Sequence, residues 1–247
     1  MRHVIAAILL ATASLAAAAQ DRQYAVLSLV GDQLLVVQRE MATGSRVDQN
    51  TRVAIPMPGN ILDRAVLLAV DEAIRKAQPS AKPVLLSTRD PALYAVAEKS
   101  LDAGGTARVF EAVRPVVASA KATHLVLVTK HRHRAMLRLK GGHVGSGWLE
   151  GVGFYLDHGS GDSGVLSTDT ARGFISPFTY FKVSVIDLAR GTIVAEDYAI
   201  GSNAYSPTSG QIGNAWTALT EEEKDKQLTQ LIREETARVV PKLVAKG

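Results

Sequence analysis

Between residues 60 and 130, stretches with helical spacing alternate with short β-rich runs, and no other feature constrains the fold as tightly. Segment 60–77 reads as a helix. Asn60 stands at its cap, Asp63 in its first turn, Arg75 and Lys76 in its last, and Pro79 stops it. Segment 83–87 reads as a strand. Asp90 and Pro91 then open a second helix that runs to residue 101 and ends at Gly104 and Gly105. A third helix spans 107–120, weakened by Pro115, and residues 124–140 form a long β-like run.

The flanking segments complete the pattern. Segments 24–30 and 33–39 are β-rich and separated by Gly31 and Asp32, which predicts a hairpin. Residues 41–50 are polar and read as a loop, and 51–55 is a short apolar run. A glycine-rich turn at 142–147 precedes a return strand at 148–156. Strands at 178–187 and 192–200 are joined by a turn from Asp187 to Gly191. Segments 158–172 and 201–213 read as loops. Thr220 and Glu223 form a capping box before a last helix that runs towards Lys246, with a break or kink expected at Pro241. The expectation is a mixed α/β fold, with helices packed on a mixed β-sheet, in one domain over residues 20–247.

The amino terminus reads as an export signal. Met1, Arg2 and His3 give a basic start, an apolar stretch follows from residue 4 to 15, and Ala17, Ala18 and Ala19 supply a small-residue cleavage site. The stretch is short for a bilayer span. The chain contains no cysteine, which excludes disulfides, cysteine-ligated metals, cysteine nucleophiles and lipid attachment through cysteine. A 247-residue chain is long enough to bury a core without such staples. Residues 1–19 are therefore expected to be removed, and the mature protein to be periplasmic.

The order of elements resembles the TolB amino-terminal-like fold of bacterial envelope proteins. The likeness rests on the capped helix at 60–77 leading to strand 83–87, on AKATHLVLVTK at 120–130, and on YFKVSVIDLARGTIV at 180–194 followed by a long helix. That group includes the periplasmic domain of the curli secretion channel and lipoproteins that activate penicillin-binding proteins. The resemblance implies an assembly or scaffold protein rather than an enzyme, so no catalytic residues and no cofactor carry over. The missing lipidation cysteine departs from the lipoprotein members.

The charge pattern is most unusual between Glu111 and Glu150, where no acidic residue occurs and seven basic ones do. From residue 130 they alternate. Lys130, Arg132, Arg134, Met136, Arg138 and Lys140 share one parity, and His131, His133, Ala135, Leu137 and Leu139 share the other. On a strand, such alternation predicts one strongly positive face. Lys130, Arg132, Arg134, Arg138 and Lys140 are therefore the candidate anion- or partner-binding residues, on an extended basic hairpin spanning 130–156. Arginine suits bidentate contact with phosphate or carboxylate. The competing reading is a solvated face that protects a sheet edge. Export and few aromatic residues argue against nucleic acid. The basic face and Glu150 fit poorly against lipid, so membrane insertion of the hairpin as part of a pore is disfavoured.

Other chemistry is thinly signalled. His131 and His133 share a strand face, and with His158 they define the alternative of a periplasmic enzyme or metal-binding protein. Flanking arginines oppose a cation there, and no metal site is assigned. Asp157, Asp162 and Asp169 lack the spacing of a calcium loop. Segment 142–147 lacks the lysine of a phosphate loop, and no nucleophile elbow occurs. The expected function is binding, to an envelope protein or an anionic envelope component. Homo-oligomerisation stays open.

Overall fold

The computed structural model describes residues 22–40, 50–102, 104–139, 142–159, 173–207 and 215–246. The export signal at 1–19, Lys140, Asp162, Asp169, and residues 41–49, 160–172 and 208–213 of the expected loops lie outside the described residues.

Among the described residues, a nine-stranded mixed sheet organises the fold, with four helices packed on it. β1 (Tyr24–Leu29) lies between β5 (His124–Lys130) and the edge strand β4 (Val84–Leu86), paired in parallel to both. The long β10 (Phe174–Asp187) runs antiparallel to β5 through its second half and to β9 (Trp148–Asp157) through its first. Beyond β9 come β2 (Gln33–Gln38), parallel to it, and β3 (Thr51–Pro56), antiparallel to β2. β11 (Thr192–Ser202) pairs with the other side of β10.

The hairpin expected from 24–30 and 33–39 does not form. β1 and β2 both exist, but they enter different parts of the sheet. Every residue of β1 is buried, which suits a strand covered on both faces between two parallel neighbours. A turn signal such as Gly31-Asp32 permits a hairpin without requiring one.

One sheet face is covered by α1 (Ile61–Ala77) and α4 (Glu221–Lys246). Val66, Val70 and Ile74 of α1 meet Ile232, Val239 and Leu243 of α4 over Val126, Val183 and Val185. α2 (Pro91–Glu98) and α3 (Gly105–Val117) cover only one end of the opposite face, packing Leu93, Val109, Phe110 and Val113 onto Leu27, Leu125 and Ile186. At the other end of that face, β9 and β10 present Leu149, Tyr155, Phe174, Phe178 and Tyr180. These are closed over by the basic segment itself.

Local signals hold at two helix starts. Asp90 Oδ1 accepts from the Ala92 amide at 2.9 Å, capping α2 behind Pro91. The capping box at α4 forms in both directions: the Glu223 amide donates to Thr220 Oγ1 at 3.2 Å, and the Thr220 amide donates to Glu223 Oε2 at 2.8 Å. α4 continues through Pro241, so the expected break does not occur. Gly104 and Gly105 do not end α2, which stops at Glu98; Gly105 instead opens α3. Asn60 does not cap α1 with its side chain; its Nδ2 donates to the Thr88 carbonyl at 2.8 Å. Gly153 is where β9 touches β2 most closely. A Cβ there would lie 1.8 Å from the Leu35 carbonyl oxygen, so only glycine fits.

Candidate partner-binding face

The run 124–140 does not form one strand. After β5 it breaks into β6 (Arg132–Arg134) and β7 (Leu137–Leu139), and the turn contains β8 (Gly142–Val144). β6 pairs antiparallel with the start of β9, and β7 pairs antiparallel with β8. The hairpin is thus bent about Ala135 and Met136 and lies as a flap on the sheet. It does not project, because β9 beyond Glu150 is an internal strand between β2 and β10.

Hydrogen bonds from β9, β10 and β11 and one buried apolar side chain hold the flap. Leu137 is fully buried among Tyr155, Phe178 and Tyr180. The Met136 amide donates to Tyr180 Oη at 2.9 Å. Ser202 Oγ accepts from the Arg138 amide at 2.9 Å and donates to the Met136 carbonyl at 3.0 Å. At the turn, the Ser146 amide donates to Tyr155 Oη at 3.1 Å. Burial pushes the Tyr180 phenol up to about 12 and raises that of Tyr155, so both remain hydroxyls at neutral pH.

The alternation survives the bend. Arg132, Arg134, Met136 and Arg138 are exposed, while His131, His133, Ala135, Leu137 and Leu139 are turned inward to varying depth. Arg132 and Arg134 flank Trp148, with guanidinium carbons 5.9 and 5.8 Å from the ring centroid. Glu150 stands opposite Arg132 in the strand register, yet among the described residues no carboxylate comes within 4.0 Å of Arg132, Arg134 or Arg138. Lys130 leaves this face. Its Nζ donates to Glu98 Oε1 at 3.0 Å, with the side chain only 14% exposed.

The histidines do not converge. The His131 and His133 rings lie 5.9 Å apart, and His131 packs against Tyr198 at 4.2 Å. Burial, reinforced by His133 and Lys182, holds the His131 imidazole down to about 4, so it is neutral at pH 7. His133 Nδ1 is 3.0 Å from the Arg134 carbonyl. His158 follows the far end of β9, about 30 Å along an extended strand from the end that pairs with β6. Among the described residues, no group of three or more metal-ligating side chains forms.

Sequence reasoning missed one polar cluster, at the carboxyl end of β1. Asp63 lies in the first turn of α1 and is only 3% exposed. It accepts from Ser28 Oγ, from the amides of Val30 and Gly31, and from Tyr94 Oη. Burial raises its pKa, against the opposing pull of these hydrogen bonds. Its position was the available signal, because Asp63 falls on the same buried helical stripe as Val66 and Val70. Above it opens a polar cleft of about 580 Å³ lined by Asp32, Gln33, Asn60, Arg89, Tyr94 and Glu98.

No family model and no curated protein matches the chain. Several solved structures are similar to it. A protein from Xanthomonas campestris carrying the family label DUF330 aligns with a TM-score of 0.42 and 9% identity, over 92% of this chain and 85% of its own. A hypothetical protein from Chlamydia trachomatis aligns with a TM-score of 0.35 and 13% identity, over 91% of this chain and 99% of its own. No helix among the described residues is long and apolar enough to cross a membrane.

Proposed function

We propose that this is an exported, non-enzymatic protein of the bacterial envelope that works by binding an acidic partner protein on the flap. The export signal at 1–19 and the TolB-like order of elements support the compartment and the assembly role. One observation carries the binding reading: Arg132, Arg134 and Arg138 share an exposed face with Met136, and none has a carboxylate partner among the described residues. Guanidinium groups held beside an indole offer a planar, weakly hydrated surface to carboxylates. Lys130 takes no part, since Glu98 already engages it.

The test places a photo-crosslinking probe at Met136 in intact envelope. The expected result is one protein adduct through an acidic segment, weakened by raised salt and by joint replacement of Arg132, Arg134 and Arg138 with serine at unchanged stability. An adduct insensitive to those replacements, an adduct with lipid alone, or no adduct would overturn the reading and leave a solvated strand face.

A further inference from the structure

A second concave surface lies at the other end of β5. α3, the segment that follows it, the first residues of β5 and the turn between β10 and β11 line an open cleft of about 750 Å³. That volume is in the range of small-molecule sites. Its floor is apolar: Phe110 and Val117 are 3% and 2% exposed, and Leu188 packs beside them. Its walls carry Arg114, Lys121 and Arg190.

The lining charges do not cancel. Asp187 is the one carboxylate among the lining residues, and it is already engaged. Its Oδ1 accepts from the amides of Ala189 and Arg190 at 2.9 and 3.0 Å, which holds its pKa down, and Oδ2 lies 3.7 Å from Arg190. Glu111 pairs with Arg114 at 2.8 Å outside the lining. Lys121 has no carboxylate partner among the described residues. His124, at the cleft edge, has its pKa lowered by burial and then by the charge of Arg22, which favours the neutral imidazole.

Two backbone features shape these walls. Lys121 sits in the left-handed region at φ 51°, which is uncommon for a residue with a side chain. Gly191 adopts φ +66°, and a Cβ there would lie 3.2 Å from Arg114 Nη2 and 3.6 Å from the Phe110 ring. The turn therefore approaches closely enough to leave the guanidinium stacked 5.1 Å from the Phe110 centroid, at the boundary between apolar floor and charged wall.

We infer that this cleft is a binding site for a small amphipathic anion, an aromatic or branched apolar group carrying a carboxylate, sulfonate or phosphate. The apolar part would rest on Phe110, Val117 and Leu188, and the acid group would face Lys121 and Arg190. The site is independent of the flap, which lies beyond the opposite end of β5.

The experiment titrates the whole mature protein with anilinonaphthalene sulfonate and, in parallel, with neutral phenylnaphthylamine, following fluorescence. The expected result is one saturable sulfonate site, with affinity falling at least tenfold in the Lys121→Gln, Arg190→Gln double variant and unchanged in the flap variant lacking Arg132, Arg134 and Arg138. Ala118→Trp, which fills the cleft from its wall, should abolish binding at unchanged Tm. Equal binding of the neutral probe, affinity insensitive to Lys121 and Arg190, or saturable binding that survives Ala118→Trp would each overturn the assignment.

Discussion

The phenol of Tyr94 donates to Asp63 Oδ2 at 2.8 Å, tying α2 to α1 across the carboxyl end of the parallel strands. The other carboxylate oxygen accepts from Ser28 Oγ at 2.5 Å and from the Val30 amide at 2.9 Å, so one buried group fixes where the chain turns after β1. Removing an acceptor leaves its donors desolvated, which costs more than the bond contributed. Asp63→Ala is expected to cost about 3 kcal/mol and Tyr94→Phe about 1 kcal/mol in urea unfolding. A cost for Asp63→Ala no larger than that for Tyr94→Phe would refute the hub.

His131 makes stability depend on acidification. Its folded pKa of about 4 lies below the ordinary imidazole value of 6.5. Between those values the unfolded chain binds the proton and the native chain does not. Its contribution is therefore present above about pH 6.5 and is lost as pH falls towards 4. His131→Phe keeps a ring against Tyr198, so the variant should lose less stability between pH 7 and pH 4.5 than the parent. An NMR titration in which the His131 ring protonates near pH 6.5 would contradict this.

The flap should open before the sheet does. Leu137 is its buried anchor, and Ser202 both accepts from and donates to its backbone. Leu137→Ala is expected to cost about 3 kcal/mol, and Ser202→Ala about 1 kcal/mol. Both changes should accelerate exchange of the Arg138 amide more than that of Val126 or Val128 in the central strand β5. Uniform acceleration across both regions would mean that flap and sheet unfold together.

The basic alternation shows how far local pattern reaches. A period of two was enough to separate exposed Arg132, Arg134, Met136 and Arg138 from the inward His131 and Leu137, because strand geometry alone sends neighbours to opposite faces. It did not say that the strand would bend at Ala135, because the cause is remote. Tyr180 and Ser202, in β10 and β11, supply the hydrogen bonds that draw the segment down onto apolar surface the helices leave open. Lys130 obeyed the same parity and was lost to Glu98, a partner 32 residues away in α2.

The amino-acid sequence by itself determined the helix starts at Asp90 and Thr220, the turn at Asp187 and the mixed α/β class. Each rests on hydrogen bonds or spacings within a few residues. Tertiary structure alone decided that β1 would leave β2 for β4 and β5, and that Asp63 would become a buried hub. It also decided that α3 and the turn at Gly191 would line a basic cleft. The physical reason is that strand partners and side-chain partners are chosen by long-range burial. Apolar and turn patterns state that a residue can be covered, and only packing settles what covers it.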